Sequence, residues 1–191
     1  MRAVPCWFCP DNWPAALEPP QGHLPLPPQP DSASFTKSIW SWLQCISWTG
    51  NRGTGTSAYK AYDRTWDLES PGKPVLHCSN DPLLGGDPAK YNPEDMLLAS
   101  LSACHMLWYL HLCANAGIVV THYRDEPVGV GETAKNGAGR FLSATLRPRI
   151  TIARGGDTAR AAAIHHEVHH YCFIARSVNF PVSYEPEIEV G

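Results

Sequence analysis

The residues that most constrain the fold of this chain are 92–117, NPEDMLLASLSACHMLWYLHLCANAG. Asn92 is suited to cap the N-terminus of a helix, and Pro93 fits the first helical position, where a missing N–H has no consequence. Glu94 places negative charge at the positive end of the helix dipole. Gly117 is a natural C-terminal stop. The pattern predicts a helix of roughly 24 residues, about 36 Å long.

A thiol lies about midway along this predicted helix. Apolar side chains recur at spacings of three and four residues, at Leu97, Leu101, Cys104 and Trp108. This spacing places them on one face of a helix, so Cys104 is predicted to lie within an apolar stripe. A thiol in that position is either a small packing residue or the chemical centre of the protein.

Length and composition narrow the class of protein. A chain of 191 residues with a formal charge of −3 holds one domain of ordinary size and an appendage, and gives no reason to expect nucleic acid or a membrane surface as partner. His105, His111 and Asn115 interrupt the apolar helix, so we expect it not to span a membrane. The 7 cysteines are irregularly spaced and form a poor disulfide framework. We therefore expect a reducing, cytoplasmic setting in which some thiols are catalytic.

Residues 1–38 differ from the rest of the chain. Half of the 18 prolines fall in this segment, which has no apolar periodicity. It is predicted to be a disordered or polyproline-like tail, followed by one domain over 39–191. It lacks the basic start and apolar centre of a signal peptide. Cys6 and Cys9 form a CxxC pair, which without a second pair is weak evidence for a zinc or redox site.

The rest of the domain is predicted to contain strands on both sides of the helix. Strands are expected within 39–48, 56–69 and 74–79. Two further segments, 118–132 and 139–153, flank a KNGAG turn and predict a long antiparallel hairpin.

A second helix and a last strand complete the chain. Asp157 or Thr158 can cap a helix that runs to about Ala175, and residues 182–190 alternate as a strand does. The order strands, helix, hairpin, helix, strand predicts an α+β fold with antiparallel sheet packed on two helices.

The second predicted helix also carries a cysteine on its apolar face. Its stripe consists of Ile164, Val168, Cys172 and Ala175. If the two helices pack with axes about 8–10 Å apart, the two thiols can approach to disulfide range. In a thiol peroxidase one thiolate attacks the O–O bond and a second thiol resolves the sulfenic acid. The alternative is that Cys104 and Cys172 are ordinary core residues.

An attacking thiol in apolar surroundings needs a cation nearby, because only the thiolate is a strong nucleophile. Arg52, in a glycine-rich turn, is the first candidate, and Arg64 and Arg124 are rivals. Glu94 could orient that arginine through a bidentate pair, but along a straight helix it lies about 15 Å from Cys104. A partner subunit could bring the three groups together, which predicts a dimeric site. A glutamate that only complements the helix dipole is the alternative.

Residues 166–170, HEVHH, match the HExxH pattern of zinc hydrolases. In that pattern two imidazoles on one helical face hold zinc and the glutamate acts as base. A third ligand would have to come from Glu185, Glu187 or Glu189. The helix face is polar and rich in histidine, so a chance match is easy. A solvated helix face is favoured, and no metal is expected.

Three segments carry a family resemblance: WTGNRGTGT at 48–56, GDPAKYNPEDMLLASLSACHMLWYLHLCANAGI at 86–118, and HHEVHHYCFIARSVNFPV at 165–182. With these segments the chain resembles the OsmC/Ohr family, the osmotically inducible and organic hydroperoxide resistance proteins, over about 46–190. The specific features are NPE followed ten residues later by a cysteine, and a second cysteine on a late helix preceded by histidine.

The resemblance implies an intertwined homodimer of α+β subunits with long helices enclosed by antiparallel sheet. It implies reduction of organic or fatty-acid hydroperoxides without metal or organic cofactor, with lipoyl-bearing proteins or other dithiols as reductant. Carried over, Cys104 would be the peroxidatic thiol and Cys172 the resolving one. Glu94 would be the family glutamate and Arg52 the family arginine.

The second segment departs from the best-known peroxidases of this family. It reads YCFIARSVNFPV where they carry a CPYS-type run. A non-enzymatic stress protein or lipid-binding module with inert thiols is therefore the alternative function.

Overall fold

The computed structural model describes residues 42–191 of the chain. These residues belong to two compact units that meet at the boundary between Asn92 and Pro93. The predicted tail over 1–38 and its CxxC pair lie outside the described residues.

The described part of the first unit is a three-stranded antiparallel sheet with the order β1-β2-β3. Its strands are β1 (Cys45–Trp48), β2 (Trp66–Glu69) and β3 (Leu76–Cys78). The strand predicted over 56–69 is wrong in its first ten residues, which form turns, bends and irregular backbone with one isolated bridge at Tyr62. The side chain of Arg52 donates to the carbonyls of Lys60 and Ala61, and these bonds hold that segment as a loop.

The second unit begins with α1 (Pro93–Asn115), which confirms the predicted helix. Gly117 has a φ of +72°, and the N–H of Ile118 bonds to the carbonyl of Cys113 at 2.9 Å. The N–H of Gly117 bonds to the carbonyl of Ala114 at 3.1 Å. These two bonds form a Schellman motif, which a glycine completes without strain. By length and composition α1 is able to cross a membrane, as many core helices of soluble proteins also are.

The buried face of α1 differs from the predicted stripe. Its fully buried residues follow at four-residue intervals: Leu101, His105, Tyr109 and Cys113. Cys104 and Trp108 are half-buried at the margin of the core. The prediction treated histidine as polar, whereas His105 is only 5 % exposed because it has a buried partner across the core.

The predicted hairpin is confirmed in its pairing but divided between two sheets. Its strands are β4 (Val120–Asp125), β5 (Val128–Thr133), β6 (Gly139–Leu146) and β7 (Pro148–Ile152). β5 pairs with β6, and β4 with β7, both antiparallel. Pro127 interrupts the ladder because it has no N–H. The carboxylate of Asp125 accepts the backbone N–H of Arg147 at 2.6 Å at the same corner.

The chain then forms α2 (Thr158–Tyr171) and two short strands, β8 (Val182–Tyr184) and β9 (Glu187–Val190). Asp157 caps α2 by accepting the N–H of Arg160 at 2.9 Å, as predicted. The single last strand is broken at Pro186, and its halves pair parallel to β6 and β7. The two sheets are therefore mixed, because these last strands add parallel pairs to the predicted antiparallel ones. The crossover through α2 returns the chain in the same direction as β6 and β7.

The main hydrophobic core of the second unit lies between the two helices and the β4-β7-β9 sheet. Its fully buried members are Tyr109, Cys113, Ile118, Ile150, Ile152, Ala161, Ile164, Val168 and Cys172. The predicted α+β class is confirmed, with two helices packed on mixed sheets.

Candidate functional site

The two predicted redox thiols lie side by side. Cys104 is half-buried in the middle of α1, and Cys172 is 1 % exposed at the end of α2. Both are free thiols, and their side chains lie close enough to interact directly. Burial, and to a smaller extent this contact, raises the pKa of Cys172 to about 12. The structure therefore joins an accessible thiol to a buried one that stays protonated near neutral pH.

The position of Cys172 corrects the prediction of a mid-helix cysteine. α2 ends at Tyr171, and Cys172 is its C-cap, with an extended backbone conformation. Its N–H still bonds to the carbonyl of Val168 at 2.9 Å, and its sulfur accepts the N–H of Ala175 at 3.5 Å. The helix stops four residues early because the chain turns here into a short 3₁₀ segment, Ala175–Ser177.

A buried pair of histidines connects the two helices beside the thiols. Nε2 of His105 lies 2.8 Å from Nδ1 of His165, and the rings stack with centroids 5.1 Å apart. The ring of Tyr109 stacks on that of His165, with centroids 4.1 Å apart. Burial lowers the pKa of His105 to about 4 and that of His165 to about 3. Both imidazoles are therefore neutral at physiological pH.

Sequence reasoning missed this pair. On sequence patterns alone, His105 is a polar interruption of the apolar helix, and His165 is only part of the histidine-rich segment 165–182. The four-residue spacing of His105 from Leu101 and Tyr109 was the available signal, since it places all three on one helical face.

A small cavity lies between Cys172 and His105. Its volume is about 10 Å³, which is near the minimum for one water molecule. Its lining residues come from α1, α2 and the β5-β6-β8 sheet, with one from the 3₁₀ turn: Leu101, His105, Leu146, His169, Cys172, Ala175, Val182 and Tyr184.

Aromatic side chains from both helices stack together close in the chain to the two cysteines. Trp108, one turn after Cys104, stacks on Tyr171 with ring centroids 5.0 Å apart. Leu107, next to Trp108 in the chain, is 62 % exposed, and Phe173, next to Cys172, is 59 % exposed. This surface is suited to an apolar group more than to a small polar one.

The predicted cations each have partners in their own neighbourhood. Arg52 lies in the first unit, 3.7 Å from the carboxylate of Asp63. Arg64 lies over the ring of Tyr59 at 4.2 Å, also in the first unit. Arg124 pairs with Glu126 on β4 at 2.8 Å.

Glu94 is exposed in the first turn of α1, where its charge complements the helix dipole. Its predicted pairing with Arg52 stays a prediction.

The HExxH residues are engaged in other contacts. Nδ1 of His166 lies 2.5 Å from the hydroxyl of Tyr184, and Glu167 forms an ion pair with Arg160. Within residues 42–191 no group of three His, Cys, Asp or Glu side chains is placed to hold a metal ion.

A family model described as OsmC-like protein matches residues 85–187, which include both thiols and both histidines of the buried pair. The chain belongs to the OsmC-like family. No functionally curated protein matches the sequence.

Solved structures of the OsmC-like fold superpose on this family member over most of its length. An OsmC-like protein of unknown function from Vibrio cholerae is 25 % identical, with a TM-score of 0.71, and the match covers 78 % of this chain and 100 % of that chain. An organic hydroperoxide resistance protein from Legionella pneumophila is 16 % identical, with a TM-score of 0.57, covering 81 % and 99 %. One from Elizabethkingia anophelis is 15 % identical, with a TM-score of 0.59, covering 81 % and 99 %. The last two show the fold.

Proposed function

We propose that this protein is a thiol-dependent peroxidase that reduces organic hydroperoxides, including those of fatty acids, in defence against oxidative stress. The observation that carries the proposal is the direct contact between the half-buried thiol of Cys104 and the buried thiol of Cys172. Family membership and neighbours named for organic hydroperoxide resistance support it.

The cycle needs two thiols and a dithiol reductant. The Cys104 thiolate attacks one peroxide oxygen, which becomes its sulfenic acid, and the other oxygen leaves as alkoxide and takes a proton to give the alcohol. The Cys172 sulfur then displaces the sulfenic oxygen, which leaves as water, and a Cys104–Cys172 disulfide forms. A lipoyl-bearing protein or another dithiol reduces this disulfide and is itself oxidised. The cycle requires neither a metal nor an organic cofactor.

The exposure of the two thiols supports this assignment of their roles. A peroxide can reach Cys104, whereas Cys172 is 1 % exposed and contacts Cys104. The surface with Trp108 and Tyr171 would bind the organic part of the substrate. The bound peroxide would therefore be larger and more apolar than hydrogen peroxide.

The protein is further proposed to act as a homodimer. In the most apolar 18-residue window of α1, only 22 % of the residues are buried, so much of its apolar surface is available for a second copy. Large apolar residues are also exposed in the first unit, among them Trp42, Ile46 and Trp48. In this proposal Arg52, or its rival Arg64, completes the site by stabilising the Cys104 thiolate, and Glu94 orients that arginine. We propose a cytoplasmic location, with neither membrane nor nucleic acid as partner.

The dimer is tested by sedimentation equilibrium of the full chain. We expect the mass of two chains at micromolar concentration, because an apolar helix face of this length is unfavourable in water. The Leu107→Glu protein, with its charge on an exposed position of α1, should dissociate more readily than the Leu83→Glu protein, whose site is 95 % exposed outside α1. A monomer at all concentrations would contradict the dimer.

The peroxidase is tested by counting thiols and measuring intact mass before and after one equivalent of cumene hydroperoxide. We expect the loss of the Cys104 and Cys172 thiols together in the wild-type protein. In the Cys172→Ser protein a sulfenic acid should persist on Cys104, because its resolving partner is absent. Unchanged thiols in both proteins would contradict the proposed function.

A non-enzymatic stress or lipid-binding role is the second candidate. The observation in its favour is the buried state of Cys172, which raises its pKa and would also suit an inert core thiol. The rate of alkylation near neutral pH separates the two: a catalytic Cys104 reacts quickly, and an inert thiol reacts slowly.

A further inference from the structure

The cavity beside Cys172 also contains a histidine that the two-thiol cycle leaves unassigned. His105 and Cys172 line this space of about 10 Å³ together with Tyr184 and His169. His105 is only 5 % exposed, whereas His169 is exposed at the surface. A cavity of this size holds at most one water molecule, which would lie between the thiol of Cys172 and the buried imidazole of His105.

The hydrogen bond of His105 leaves one ring nitrogen available. Nε2 is bonded to Nδ1 of His165, and within the described residues no hydrogen-bond partner contacts Nδ1 of His105. If Nε2 is the donor in this bond, the lone pair of Nδ1 is free to accept a proton. Asp125, on the adjacent β4, favours a positive charge on this ring, and burial opposes it.

The attack of Cys172 on a sulfenic acid at Cys104 requires a group that accepts a proton. Cys172 must lose its proton as its sulfur attacks, and burial raises the pKa of this thiol to about 12. Almost none of it is ionised at neutral pH. A base that takes the proton during the attack would lower this barrier, because the free thiolate of Cys172 need not form first.

We propose that His105 accepts the proton of Cys172 through a water molecule in this cavity as Cys172 attacks the oxidised Cys104. The S–S bond forms while the sulfenic S–O bond breaks, and His105 returns the proton to the departing oxygen, which leaves as water. His105 ends the step neutral, and no further reagent is consumed. This inference rests on the proposed function for the identity of the oxidised thiol.

His165 is the positioning residue of this step. When Nε2 of His105 is the donor, Nδ1 of His165 is the acceptor 2.8 Å away, and this bond holds His105 in the tautomer that the step requires. Tyr109 stacks on its ring at 4.1 Å and holds it in place. His169 lines the same cavity from the exposed side and is the competing base.

The step can be measured without peroxide. The aromatic disulfide DTNB forms a mixed disulfide at Cys104 and releases one thiolate. The attack of Cys172 then releases the second thiolate, whose absorbance gives the rate of resolution. The Cys172→Ser protein lacks this second phase, which assigns it. A His105→Gln protein should show an unchanged first phase and a second phase about 10²-fold slower near neutral pH.

The pH profile separates a base from a merely structural residue. In the His105→Gln protein the second phase should rise about tenfold per pH unit, because hydroxide must then ionise Cys172. The rate of the second phase in the wild-type protein should change much less between about pH 6 and 8, because His105 is neutral throughout this range. His122→Gln, at an exposed position on β4, serves as the matched control and should behave as wild type.

Two results would overturn the role of His105. One is a wild-type rate and slope in the His105→Gln protein, and the other is a loss found in His169→Gln instead. If His105→Gln does not fold, His165→Gln tests the same step. We expect its second phase to be about tenfold slower than that of the wild type. A wild-type rate in this protein would contradict the role of the histidine pair. Because DTNB replaces the peroxide, these outcomes are independent of the proposed function, which fails only if peroxide leaves Cys104 unoxidised.

Discussion

The Cys104→Ser protein is expected to lose peroxide turnover by about 10³-fold or more, because a serine hydroxyl does not supply the thiolate that attacks the O–O bond. The measurement is consumption of cumene hydroperoxide with a dithiol reductant in excess. Cys172→Ser should lose steady-state turnover less completely, since its Cys104 can still be oxidised and then reduced directly by the added dithiol.

Cys113→Ala is the matched control for this prediction. Cys113 lies on the same helix, is fully buried and is a free thiol. It packs in the core and has no place in the proposed cycle. Its replacement should preserve turnover per folded molecule, as judged by circular dichroism. Full turnover in Cys104→Ser, or an equal loss in Cys113→Ala, would contradict the assignment of the peroxidatic thiol.

Acid is expected to lower the free energy of unfolding by about 5 kcal/mol between pH 6.5 and pH 4 through the histidine pair. In the unfolded chain both histidines have a pKa of about 6.5, whereas burial lowers the folded values to about 4 for His105 and about 3 for His165. Below pH 6.5 the unfolded state therefore binds protons that the folded state does not. Stability is highest above this pH and falls as the pH decreases, by roughly 1.4 kcal/mol per unit for each histidine.

This effect is measured by urea unfolding at a series of pH values, with a double variant as reference. In His105→Leu/His165→Leu the slope between pH 6.5 and about 4.5 should largely disappear, because carboxylates titrate mostly below this range. The His122→Gln protein, altered at an exposed site, should keep the wild-type slope. An equal slope in the double variant would show that other groups control acid stability.

The acid stability and the proposed proton transfer depend on the same property of the two histidines. Both effects depend on keeping the imidazoles neutral and paired between α1 and α2. A buried base that remains neutral can accept a proton transiently, and the same burial makes its permanent protonation unfavourable.

The sequence by itself determined the elements whose signals are local. α1 ends where Gly117 permits a left-handed residue, and α2 starts where Asp157 accepts the N–H of Arg160. The pairing of β5 with β6 followed from a short glycine-containing turn between alternating segments. The family motifs also identified Cys104 and Cys172 as a pair, and the structure places these thiols in contact.

Only the tertiary structure decided the features that depend on residues far apart in the chain. The hydrogen bond between His105 and His165 spans 60 residues, so local spacing can place His105 on a buried face but cannot identify its partner. The parallel pairing of β8 and β9, and the end of α2 before Cys172, likewise depend on where the crossover returns the chain. Caps and turns act through neighbouring backbone groups, whereas burial and pairing between elements are set when the whole core packs.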